Sequence, residues 1–258
     1  MNPSKNLDYR AVLKLDTRDP LTTDETYIKA WGTITDHPLF ISYPRTGAHW
    51  INAVIELYFD RPRLPEVRAT FLDPERDDWA WYHDHDTIAF SELLIKNHSN
   101  KGVLYLYRNP VDTLYSWIIY QYNQGVSLNF LPPKRLRELV VATSEQYRDH
   151  LTKWLLNSKD TTVVPIRYED FVKDPVTAFG GIMKYWEKED LSLDEERVEA
   201  CFAVANPKAL SARRTEWSTL SDFMLTDVYK QERVKFREEF EAIINSIVIT
   251  EDLKEYFV

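Results

Sequence analysis

An α/β fold with a mainly parallel central sheet flanked by helices is what this sequence predicts, and three observations carry the prediction. Four short apolar stretches of strand length recur along the chain. Helical patterns with one apolar face separate several of them. The turns at 44–49, 97–100 and 108–110 should emerge at the carboxyl ends of the strands, where ligands of such sheets sit. Strands alternating with helices imply a sheet covered on both faces.

The elements follow in order. "LFISY", 39–43, is the first strand; the polar turn 44–49 leads into a helix that places Trp50, Val54, Leu57 and Tyr58 on one face. Residues 61–86, rich in Pro, acid and aromatics, lack a period and read as an insertion over one end of the sheet. "LLIK", 93–96, and "GVLYLY", 102–107, are strands, and "VDTLYSWIIYQYN" after "RNP" is a Pro-started helix. A second helix is expected over 134–157 and a strand over "TTVVPIRY", 161–168. "SLDEERVEACFAVA" opens with a capping box from Ser192 to Glu195, and 228–248 is a closing amphipathic helix.

Composition bounds the function. At 258 residues, 44% hydrophobic and 14% aromatic, the chain is expected to be one globular domain, 1–258, with a bulky core; 6 glycines argue against long flexible linkers. The net charge of −9 disfavours nonspecific binding to nucleic acid or anionic membranes, while leaving room for a local basic pocket. The first twenty residues lack an apolar segment behind a basic cluster, and no run approaches the roughly 20 apolar residues that span a bilayer. The expectation is a soluble cytoplasmic protein. The one cysteine, Cys201, excludes an intramolecular disulfide and a thiolate zinc site, and reads as a small buried hydrophobe.

The first turn, "YPRTGAHW", carries the chemistry. A strand, a short turn and a helix gather backbone N–H groups and the positive helix end around one point, a seat for phosphate or sulfate. Gly47 permits close approach, and Arg45 and His49 add donors. The turn lacks the GxxxxGK[ST] spacing of the nucleotide-triphosphatase loop, and by itself it is either an anion seat or an ordinary polar connection. "LLIKNHS" places Lys96 and His98 on one side of an extended edge. In "YRNPVDTLYS", Arg108 leaves a strand end and Ser116 lies about two turns into the next helix. "HDHD" aligns His83 and His85 in an extended segment but offers no placed third ligand, so no metal is assigned.

"SYPRTGAHW", "IKNH", "YRNPVDTLYS" and "IRYEDFVKDP" stand in the order and at the approximate separations of the sulfotransferases that use 3′-phosphoadenosine 5′-phosphosulfate (PAPS), a family the chain resembles over residues 39–187. The first motif is similar to the 5′-phosphosulfate loop YPKSGTTW, and the third matches RNxxDxxxS at all four fixed positions. The resemblance implies a P-loop NTPase-like sulfotransferase fold, PAPS as co-substrate, and 3′-phosphoadenosine 5′-phosphate (PAP) as product, with no metal required. It makes Arg45 the cation at the 5′-phosphosulfate, with Thr46, Gly47, Ala48 and His49 beside it in the turn. Trp50 and Tyr168 then lie at the adenine, and Arg108 and Ser116 at the 3′-phosphate. Lys96 touches the transferring sulfuryl group, and His98 is the base that takes the acceptor's proton.

The chain also departs from the family pattern. Arg45 replaces lysine, which keeps electrostatic stabilisation but leaves a poor proton donor. The glycine-containing RKGxxGDWK loop has only "SARRTEWS" as a counterpart, so Arg213 and Arg214 are the remaining candidates there for the 3′-phosphate. The KxxxTVxxxE dimerisation segment is not recognisable, which leaves a homo-oligomer open but not indicated.

On the acceptor side, the insertion 61–90 holds Asp78, Asp84, Trp79, Trp81 and Tyr82, either a solvated acidic loop or a pocket for a cationic small molecule of the amine or guanidinium alkaloid type. The expected reaction is sulfuryl transfer to a hydroxyl, amine or amide of a small molecule. The alternatives are a catalytically inactive nucleotide-binding protein of the same fold and a P-loop-type phosphotransferase.

Overall fold

The computed structural model describes residues 39–59, 82–85, 102–123, 128, 131–157, 163–186, 193–205 and 223–258. The expected strand at 93–96 lies outside them. Contacts gather the chain into two compact units, each described by itself.

The first unit carries the sheet. Strands β1 (Leu39–Ser42), β2 (Tyr82–Asp84), β3 (Val103–Tyr107, its last residue in the second unit) and β4 (Val163–Arg167) are hydrogen-bonded in the order β2-β1-β3-β4. β1 pairs in parallel with β2 on one side and β3 on the other, with Leu39 opposite both Tyr82 and Val103. The order reverses at β1, which makes its carboxyl end the switch point at which such sheets take ligands. β1 and β3 are buried residue after residue, as strands covered on both faces require.

Helix α1 (Ala48–Phe59) follows the first turn and buries Ile51, Val54, Ile55 and Leu57. Helices α4 (Tyr168–Lys173), α5 (Pro175–Trp186) and α6 (Glu195–Val204) complete the unit, with α6 packed against α1 and α5. Cys201 on α6 is fully buried, and burial pushes its thiol up to about 11, as fits a packing residue.

The second unit holds the turn 43–47 and a helical core. Helix α2 (Pro110–Asn123) begins where expected. Asn109 caps it, its side-chain oxygen accepting from the Asp112 N–H at 3.3 Å while Pro110 supplies the first helical residue. Helix α3 (Pro133–Leu151) ends in a π-helical turn over Thr152–Leu156, so the expected helix over 134–157 changes hydrogen-bonding pattern in its last turn. Helix α7 (Asp227–Val248) packs on α2 and α3 through a buried stripe of Tyr229, Phe236, Phe240, Ile244 and Val248. Phe236, Phe240, Ile244 and Val248 each contribute about 1.5–3 kcal/mol by burial.

Two sequence expectations are corrected. The cap of α6 is Asp194, whose carboxylate accepts from the Arg197 N–H at 3.0 Å; Asp194 sits three residues before that donor, whereas the Ser192 to Glu195 box would start the helix too early. Residues 82–84, expected within an irregular insertion, form strand β2. Their polarity hid the strand. Buried His83 and partly buried His85 approach Ser42 Oγ at 3.0 and 3.1 Å, so a buried hydroxyl at the end of β1 takes up the polar groups. Among the described residues, no helix is long and apolar enough to cross a membrane.

Candidate functional site

In the second unit, the first turn is a tight reversal. Thr46 N–H and Thr46 Oγ1 both donate to the Tyr43 carbonyl, at 3.4 and 2.8 Å. Pro44 stands second and Arg45 third in that turn, and Arg45 takes φ 71, the positive φ a type II turn needs at this place. A side chain there costs about 1–2 kcal/mol of strain that glycine would avoid. Gly47 follows at φ 100, where a β-carbon would be strained. Buried Thr46 thus closes the turn with its hydroxyl, and Arg45 directs its side chain from a conformation few residues adopt.

The Arg45 guanidinium is held from three directions. Nε donates to Ser116 Oγ at 3.0 Å, one terminal nitrogen donates to Met224 Sδ at 3.1 Å, and the guanidinium carbon lies 5.4 Å from the centre of the Tyr120 ring. Arg108 reaches the same place from the end of β3, one guanidinium nitrogen donating to the Arg45 carbonyl at 3.5 Å. Its backbone is pinned by Tyr147 of α3, whose hydroxyl donates to the Arg108 carbonyl at 2.8 Å and accepts from the Arg108 N–H at 3.1 Å. On α7, burial raises the Tyr229 phenol above the ordinary range, against the opposing charges of Arg108 and Arg45.

The remaining position of the RNxxDxxxS pattern, Asp112, turns to α7. It takes a two-point bond from Arg233, at 2.9 and 2.7 Å, and a third from Arg237 at 2.9 Å. Burial by itself would raise the carboxyl, but the Arg233 hydrogen bond and the charges of Arg108, Arg233 and Arg237 hold it below its ordinary value. The carboxylate is thereby matched by arginines on its own account, and a cationic cluster of Arg45, Arg108 and Ser116 stands in a chain of net charge −9. Two guanidiniums with the Ser116 hydroxyl suit a doubly charged oxyanion, so the residues present fit a phosphate-bearing ligand.

In the first unit, Trp50 meets Tyr168 edge-on, with ring centroids 5.6 Å apart, and Phe202 at 5.3 Å. The two residues expected at the adenine are therefore neighbours, set by α1 and by the first residue of α4. Ala48 is buried and His49 and Trp50 are partly buried at the start of α1.

Of the other sequence candidates, Lys96, His98, Trp79, Trp81, Asp78, Arg213 and Arg214 lie outside the described residues. For Tyr82 and Asp84, only the backbone, in β2, is described. Sequence reasoning passed over Tyr147, Tyr120, Met224 and Tyr229. Tyr147 and Tyr229 fit an apolar helix period, which identifies a core position but not what its hydroxyl touches.

Comparison with known proteins identifies the family of the chain. Residues 35–240 match the sulfotransferase domain family. An amine sulfotransferase of Oryctolagus cuniculus is 29% identical over 190 residues, covering 65% of this chain and 60% of that protein. Sulfotransferase 1E1 of Rattus norvegicus is 21% identical over 200 residues, covering 66% of this chain and 67% of that protein. The chain thus matches about three fifths of the first relative's length. The crystal structure of mouse sulfotransferase SULT7A1 complexed with PAP superposes with a TM-score of 0.54 and 17% identity, over 90% of this chain and 94% of that chain, a likeness of fold. Since the match at 35–240 takes in the strained turn, the capped RNP helix and most of α7, the chain belongs to the sulfotransferase domain family and carries its α/β fold.

Proposed function

We propose that the protein transfers a sulfuryl group from PAPS to a hydroxyl, amine or amide of a small molecule. The observation that carries this reading is the bond from Arg45 Nε to Ser116 Oγ, which joins two anion-binding motifs 71 residues apart in one cationic cluster. In the reaction, a bond forms from the acceptor oxygen or nitrogen to sulfur while the bridge from sulfur to the 5′-phosphate oxygen breaks, releasing PAP. The chain's part is to hold charge and to take a proton. Arg108 and Ser116 bind the 3′-phosphate, the backbone of the turn through Gly47 receives the phosphosulfate, and Trp50 and Tyr168 take the adenine. Fixed donors that face the leaving phosphate stabilise the charge that grows there. Lys96 is assigned to the transferring group and His98 to the acceptor's proton, roles that rest on their place in "IKNH".

For the acceptor, the reading is a cationic amine or guanidinium metabolite. Its support is the acidic and aromatic content of residues 71–90, with Asp78, Asp84, Trp79, Trp81 and Tyr82, and the name of the Oryctolagus cuniculus relative, an amine sulfotransferase. Asp78→Asn and Asp84→Asn are expected to raise the KM of a cationic acceptor several-fold and to leave the KM of PAPS unchanged. Steady-state kinetics with each substrate varied in turn decides this; unchanged acceptor KM in both variants removes the cationic assignment.

Two measurements test the activity. Calorimetry with PAP against ATP with Mg²⁺ is expected to give tight binding of PAP alone, and tight ATP binding without PAP affinity contradicts the reading. Mass spectrometry of a mixed acceptor panel with labelled PAPS then identifies the product and separates O- from N-sulfation.

A further inference from the structure

We propose that Tyr147 is a positioning residue of the nucleotide site: its hydroxyl clamps the backbone of Arg108 and so fixes how that arginine's side chain leaves the end of β3. The assignment rests on the function proposed above, which puts the 3′-phosphate at Arg108, and adds a residue that acts through Arg108.

Hydrogen bonding is the first ground. Arg108 is the first residue past β3, where the strand gives way to the RNP turn. The Tyr147 hydroxyl donates to the Arg108 carbonyl at 2.8 Å and accepts from the Arg108 N–H at 3.1 Å, so one oxygen serves a single residue as both donor and acceptor. Each of those backbone groups belongs to a planar peptide unit, one on either side of the Arg108 α-carbon. Holding both planes restrains the two dihedral angles between them, and with them the direction in which the guanidinium sets out.

The second ground is what holds the hydroxyl in place. Tyr147 is fully buried on α3, and α3 packs on both α2 and α7. Its ring lies against the ring of Tyr43, with centroids 4.7 Å apart, and His150, one turn further along α3, meets the same ring edge-on at 5.3 Å. The Tyr43 carbonyl is the acceptor that closes the first turn on Thr46. One buried side chain thus touches the start of the first motif with its ring and the arginine of the third with its hydroxyl. Packing alone calls for a ring, which phenylalanine would supply. A buried hydroxyl costs free energy unless it is bonded, and these two bonds go to the arginine that begins the RNP turn.

Equilibrium binding of PAP and of adenosine 5′-phosphate, which lacks the 3′-phosphate, is measured for the wild-type chain, Tyr147→Phe, Arg108→Ala and the double variant, with melting curves by circular dichroism to confirm folding. Tyr147→Phe is expected to lose about 3- to 10-fold in PAP affinity, the range for a neutral hydrogen bond, with adenosine 5′-phosphate affinity little changed. In the Arg108→Ala background the same substitution is expected to cost PAP nothing further, because a residue that acts through Arg108 then has no side chain left to position. Loss of the same factor from both probes, or an undiminished loss in the Arg108→Ala background, marks a merely structural role and overturns the assignment. If Tyr147→Phe does not fold, hydrogen exchange of the Arg108 amide in the wild-type chain decides. Slower exchange at saturating PAP than at saturating adenosine 5′-phosphate supports the clamp, since binding that depends on it must tighten it in return, and equal exchange overturns it. A folded wild-type chain with no preference for PAP overturns the proposed function, and this assignment with it; a preference kept in full by folded Tyr147→Phe overturns the assignment alone.

Discussion

Asp112→Asn is expected to lower the unfolding free energy at pH 7 by about 2–3 kcal/mol, less than the full cost of breaking a buried ion pair because both arginine partners reach solvent. The carboxylate is only 11% exposed, and its three bonds to Arg233 and Arg237 fasten α2 to α7. Asparagine keeps the shape and loses the charge, which leaves two guanidiniums on α7 facing a neutral amide. The effect has a pH signature. Because the folded carboxyl lies below its unfolded value, near 3.9, the contribution is full above about pH 4 and is lost as pH falls through the folded value. The gap between wild type and Asp112→Asn in urea denaturation is therefore widest at neutral pH and narrows below about pH 4. A gap constant from pH 7 to pH 3 would show that the charge of Asp112 is not what holds the two helices.

His98→Ala is expected to remove most turnover, about 10²- to 10⁴-fold, the range for a positioned general base, while PAP binding stays intact. The two readouts matter together. Loss of both points to a damaged fold or nucleotide site, and full turnover with PAPS and a working acceptor eliminates His98 as the base. Retained PAP binding with no turnover in the wild-type chain under every acceptor would favour a nucleotide-binding protein that keeps the fold without the reaction.

Much of the fold is legible from local pattern because its causes are local. The continuous apolar runs of β1 and β3 mark strands buried on both faces, and "RNP" marks a cap followed by proline at the first helical turn. β2 was not legible, since "YHD" looks like loop chemistry until Ser42 is known to lie against its histidine. The α6 cap was misplaced by two residues for a similar reason: Ser192 and Asp194 are both good capping residues, and only the path of the backbone decides which accepts from the helix.

What the sequence determined by itself is the place of strands β1, β3 and β4 and of helices α1, α2, α3, α6 and α7, the family motifs, and the residue types at the turn, because periodicity, capping and motif spacing act over a few residues. Tertiary structure alone decided where those side chains point. Arg45 stands in the sequence only as a cation of its turn; folding brings Ser116, 71 residues on, and Met224, 179 residues on, within hydrogen-bond distance of its guanidinium. Asp112 is one match in a pattern until Arg233 and Arg237 make it a fastening between helices. A hydrogen bond between distant segments leaves no period and no spacing in the chain, since only folding sets the distance between its partners.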